Sequence, residues 1–96
     1  MTGKEVIEKL KAEKPILQNK FGVEEIGVFG SAVHGDMDEY SDIDVLVSFK
    51  KVDYSLFAGL YKYLENIFHR KIDLIHRSKN MPEKFMNKIK DSIIYV

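Results

Sequence analysis

One stretch sets the terms for the rest of the chain. From Asp42 to Phe49 the residues alternate, with Ile43, Val45, Val47 and Phe49 on one side and Asp42, Asp44, Leu46 and Ser48 on the other. A period of two is that of a β-strand with one apolar face. Such a strand needs partners for its backbone and a layer over its apolar side. Two further short apolar runs, Glu25-Ile26-Gly27-Val28-Phe29 and Lys71-Ile72-Asp73-Leu74-Ile75, read as those partners.

The covering layer is helical. Thr2-Gly3-Lys4-Glu5 spells a capping box, and Val6, Ile7 and Leu10 follow on one helical face. Pro15 either kinks this helix or opens a second short one carrying Ile16, Leu17 and Phe21, with Gly22 as its left-handed stop. Asp53 caps a helix whose apolar positions Leu56, Phe57, Leu60, Tyr61, Leu64, Ile67 and Phe68 recur near 3.6. Pro82 opens a last helix with Phe85, Met86 and Ile89 inward, and the apolar tail 93–96 offers an edge strand or a contact surface. Helices and strands therefore alternate along the chain. The expected fold is α/β (α+β): a small mixed β-sheet with helices packed on one face.

The 96 residues support one modest core, so residues 1–96 read as a single domain. Fifteen basic and fifteen acidic residues cancel, which argues against strong nucleic-acid binding. No apolar run is long enough for a membrane span, and the first residues lack a secretory h-region. Cysteine is absent, which removes disulfides and thiolate metal sites, and His34, His69 and His76 are too scattered for a zinc motif. The expected setting is cytoplasmic, with His69 and His76 at the surface.

Chemistry is concentrated in three aspartates within strand-like segments, where Asp is disfavoured. Asp42 and Asp44 leave the same face of a strand with Cα atoms about 6.6–6.8 Å apart, and their carboxylates can converge on a shared cation. Asp73, on another strand, can complete the set. Taken singly, an Asp-x-Asp is usually a loop or capping pair and Asp73 an edge-strand solubility residue. Together they crowd negative charge on one sheet face, a conflict that a cation resolves. Oxygen-only ligands suit Mg²⁺, with Mn²⁺ as the alternative, and two such ions serve in-line displacement at phosphorus. Gly30-Ser31 ends the preceding strand and lets backbone and hydroxyl donors approach a phosphate, although a plain turn would look the same.

Gly30-Ser31, ten intervening residues, then Asp42-Ile43-Asp44 resembles the signature of the polymerase-β-like nucleotidyltransferase superfamily. Within it, Val28-Phe29-Gly30-Ser31-Ala32-Val33-His34-Gly35 followed by Ser41-Asp42-Ile43-Asp44-Val45-Leu46-Val47 is similar to the minimal nucleotidyltransferases (MNT), antitoxins paired with HEPN-type toxins. Lys71-Ile72-Asp73-Leu74-Ile75 resembles the third-carboxylate strand, and residues 82–96 the closing helix and tail. The resemblance implies the polymerase-β-like nucleotidyltransferase fold, with Asp42, Asp44 and Asp73 as catalytic and metal residues. Gly30, Ser31 and His34 would bind the nucleotide, ATP would be the substrate and two Mg²⁺ the cofactors. It further implies a protein adenylyltransferase that moves AMP to a tyrosine hydroxyl of the partner toxin. His34 departs from the family, which usually has Arg there; His is only partly charged near neutral pH, so either nucleotide affinity is weaker or a nearby Lys substitutes.

Two alternatives from other classes remain. One is a non-catalytic antitoxin that neutralises its partner by complex formation, as part of a homo- or hetero-oligomer. The other is nucleotidyl transfer to a small molecule, for which the chain is short.

Overall fold

The computed structural model describes residues 1–35, 37–38, 40–77, 81–89 and 92–96. Asp36 and Glu39 lie outside the described residues, as do residues 90 and 91 of the expected closing segment. The chain runs α1 (Gly3–Phe21), β1 (Val23–Phe29), α2 (Ser31–His34), β2 (Ile43–Phe49), α3 (Tyr54–Phe68), β3 (Ile72–His76), α4 (Glu83–Ile89) and β4 (Ile94–Tyr95). The sheet order is β3-β2-β1-β4. β1 pairs antiparallel with β2 and β4, while β2 and β3 are parallel, so the sheet is mixed.

Local chemistry accounts for the helix ends. The Glu5 N–H donates to the Thr2 hydroxyl and the Thr2 N–H to the Glu5 carboxylate, each at 3.2 Å, which satisfies two otherwise orphaned donors. Gly22, at φ 68°, closes α1 with its N–H on the Gln18 carbonyl. Pro15 sits inside α1 on an exposed position, so one helix runs through where the sequence left two arrangements open. The proline forfeits one backbone bond while Leu10, Leu17 and Phe21 remain buried on the inner side. The Asp53 carboxylate accepts from the Ser55 N–H at 2.8 Å and starts α3.

α1 and α3 cover one face of the sheet. Their Val6, Leu10, Leu17, Leu60, Leu64 and Phe68 pack against Val23, Ile26, Val28, Ile43, Val45, Val47 and Ile72. β1 begins two residues earlier than the alternation suggested. Val23 pairs with Phe49 and Glu25 with Ser48, a bulge that inserts Glu24 and places Val23 and Ile26 on the same buried side. His76 is half-buried rather than at the surface, because its ring lies against Phe49 and Phe57, with centroids 5.5 and 6.4 Å away.

The opposite face of the sheet carries Asp44, Leu46 and Ser48 of β2. Leu46 is only 1% exposed, flanked in register by Gly27 and Ile75. Residues of α4 border two clefts with side chains of this face, and of the residues expected to turn inward Ile89 is buried while Phe85 and Met86 are half-buried. The tail forms the short edge strand β4, and Gly27 permits its approach: a Cβ there would stand 3.0 Å from the Ile94 carbonyl oxygen and 3.1 Å from the Ile93 side chain.

Candidate functional site

The parallel register of β2 and β3 sets Asp44 directly beside Asp73. Both residues sit one position after the first residue of their strands, and both point away from the helix-covered core. Asp42 lies just ahead of β2 rather than within it, since the first ladder residue is Ile43, whose N–H donates to the Lys71 carbonyl at 3.1 Å. Asp42 and Asp73 are exposed and Asp44 is half-buried.

Asp44 is both partly buried and crowded by carboxylates. Burial foremost, then the Asp73 carboxylate beside it and finally Asp42 push its pKa from the ordinary 3.8 up to about 6. Among the described residues no three His, Cys, Asp or Glu side chains converge on one point. The donor set therefore consists of an adjacent pair, Asp44 and Asp73, with the exposed Asp42 just ahead of β2. Carboxylate oxygens alone, mutually repelling and open to solvent, fit a hard divalent cation.

The Gly-Ser turn abuts this pair. Phe29 pairs with Asp44 across β1 and β2, so Gly30 follows at the edge of the carboxylate. Gly30 adopts φ 70° and ψ −140°, and a Cβ there would run into Asp44 Oδ2. Glycine is required twice over, by conformation and by space. Its carbonyl accepts from the Val33 and His34 N–H groups at 3.0 and 3.1 Å, which opens α2. Ser31 is the first residue of α2, half-buried, and Gly30 rather than Ser31 occupies the cap position.

A cleft of about 290 Å³ extends from this turn to α4, with Phe29, Gly30, His34, Phe85, Lys88 and Ile89 among its lining. Gly30 is common to the cleft and to the carboxylate pair. His34, the last residue of α2, and Lys88 of α4 are both exposed and both line the cleft. The sequence pattern reveals Phe85 and Ile89 but gives no sign of Lys88, because an exposed lysine on a short amphipathic helix looks like any solvated residue. Its nearness to Gly30 depends on where α4 sits in the tertiary structure. A larger cleft of about 600 Å³, lined by residues including Glu25, Ser48, Arg77 and Met86, lies toward the far ends of β2 and β3.

Residues 11–96 match the family described as polymerase beta, nucleotidyltransferase. The chain is 37% identical over 97 residues to the protein adenylyltransferase MntA of Thermococcus cleftensis, covering 100% of this chain and 97% of that protein. A solved structure described as a candidate minimal nucleotidyltransferase superposes with a TM-score of 0.80 at 22% identity, covering 98% of this chain and 95% of the other. Another, from a tri-AMPylated Shewanella oneidensis HEPN toxin in complex with MNT antitoxin, gives a TM-score of 0.56 at 18% identity, covering 97% and 66%. Among the described residues no helix is long and apolar enough to cross a membrane.

Proposed function

Because this chain belongs to the polymerase β nucleotidyltransferase family, we propose that it transfers AMP from ATP to a tyrosine hydroxyl of a HEPN-type partner toxin and thereby acts as an antitoxin. The observation that carries this reading is the Asp44–Asp73 pair set side by side by the β2–β3 register, against the Gly30 turn. The adenylyltransferase relative supports the choice of AMP. The AMPylated toxin found with a similar fold supports the choice of acceptor.

In this reading the triphosphate lies along the cleft between α2 and α4. Gly30 leaves room for it, Ser31 offers its hydroxyl, His34 offers an imidazole donor, and Lys88 supplies positive charge from α4. Asp42, Asp44 and Asp73 would hold Mg²⁺, which when bound would neutralise developing charge on the phosphates and make the attacking hydroxyl more acidic. The acceptor oxygen attacks the α-phosphorus. The bond from that phosphorus to the bridging oxygen breaks, and pyrophosphate leaves. Asp73, the exposed member of the pair, faces the acceptor and takes up its proton. The protein's contribution is positioning and charge arrangement.

The test is incubation of the chain with ATP, Mg²⁺ and its HEPN partner, followed by intact mass measurement of the toxin. An AMP-sized increase on a tyrosine is expected, and none with Asp44→Asn. A second reading, neutralisation by binding alone, draws on the exposed Ile94 and Tyr95 of the edge strand, 40% and 44% accessible. Protection of cells by an Asp42→Asn/Asp44→Asn double variant, with the toxin unmodified, would favour it.

A further inference from the structure

Asp42 stands outside the strand ladder, so its place relative to Asp73 must be set by something other than β-pairing. Arg70 occupies that position in the fold. It follows His69, which caps α3 in the left-handed conformation at φ 53°, and precedes β3. Its Nη1 donates to the Asp38 carbonyl at 2.6 Å and to the Ser41 carbonyl at 3.0 Å. Ser41 is the residue immediately before Asp42, and Asp73 lies three residues after Arg70.

The segment gripped is itself braced. The Ser41 N–H donates to the Asp38 carbonyl at 3.3 Å, and the Tyr40 N–H to Asp38 Oδ1 at 2.8 Å. The Asp38 N–H and the Ser41 hydroxyl complete the ring at 2.9 and 3.1 Å. On the other side of Asp42, Ile43 is tied to the Lys71 carbonyl. Asp42 is thus bracketed by two links, both running to the segment that leads into Asp73. A guanidinium is suited to this, being permanently charged and able to share planar donors between two carbonyls.

We infer that Arg70 is a positioning residue for the carboxylate site: it ties the backbone just ahead of Asp42 to the start of β3 and so sets where Asp42 stands relative to the Asp44–Asp73 pair for sharing a divalent cation. The inference rests on the carboxylate reading given above. It assigns Arg70 no contact with substrate.

The test is direct binding of Mn²⁺ to the full chain, followed by electron paramagnetic resonance, with no turnover required. Arg70→Ala should raise the half-saturating Mn²⁺ concentration about 10-fold, as removal of an outer partner of a metal ligand does. Arg70→Lys should fall between the two, since it keeps the charge on a shorter stem. Added guanidinium ion at low millimolar concentration should return the alanine variant toward wild type. A purely structural role would lower the melting temperature and leave the Mn²⁺ curve of the folded protein in place; that result overturns the inference. If Arg70→Ala does not fold, an unchanged Mn²⁺ curve for Arg70→Lys overturns it equally. A wild-type chain that binds no Mn²⁺ overturns the carboxylate reading itself, and with it the role of Arg70.

Discussion

The two faces of the sheet are built on opposite terms. Toward α1 and α3, side chains such as Val6, Leu10, Leu60 and Leu64 are fully buried and satisfied by contact alone. On the other face, Asp44 is half-buried beside a second carboxylate and holds its proton up to about pH 6. The first face supplies folding free energy and the second gives part of it back. The unfavourable charge is confined to one side of the sheet, at the leading ends of two adjacent strands.

That division can be tested by substitution. The largest effect is expected for Asp44→Asn in AMP transfer, a loss on the order of 10³-fold or more in kcat measured by toxin adenylylation, with the fold intact by circular dichroism. On the helix side, Leu64→Ala should cost about 3 kcal/mol in urea unfolding and leave transfer per folded molecule unchanged. A loss of transfer there would break the separation of the faces. Gly30→Ala straddles them: the forced left-handed residue and the displaced Asp44 carboxylate should lower transfer on the order of 10²-fold.

The stability of Asp44→Asn should move the opposite way from its activity. Between the ordinary pKa of 3.8 and the native value of about 6, the folded state binds the proton more tightly than the unfolded one. The native state therefore loses stability as pH rises through this window, and the loss is complete above it. Asp44→Asn should match wild type near pH 4 and exceed it by about 1 kcal/mol at pH 7.5, after allowance for solvent screening. Added Mg²⁺ should narrow that gap by stabilising the wild type. The smallest effect is expected at Arg77→Gln, which removes the 3.3 Å pair with Glu25. Both side chains are about half exposed, so a few tenths of a kcal/mol is expected in urea unfolding.

Much of the fold was legible because its signals are local. The capping box at Thr2 and Glu5, the left-handed stop at Gly22, the cap at Asp53 and the alternation of β2 each depend on a few adjacent residues. The start of β1 was hidden because a bulge at Glu24 breaks the period on which strand recognition depends. His76 was misplaced because nothing near it in sequence announces the rings of Phe49 and Phe57.

The candidate site divides along the same line. The sequence alone singled out the candidate residues, since aspartates in apolar strands crowd charge on one sheet face unless a cation binds there. It also determined, through the alternation of β2, that Asp44 faces away from the helices. Only the tertiary structure decided that Asp44 and Asp73 are neighbours, that Gly30 touches Asp44, that Lys88 borders the adjoining cleft, and that Arg70 ties the approach to Asp42 to the approach to Asp73. Strand register and helix placement depend on how distant apolar faces meet, and that information is spread across the chain rather than held in any one motif.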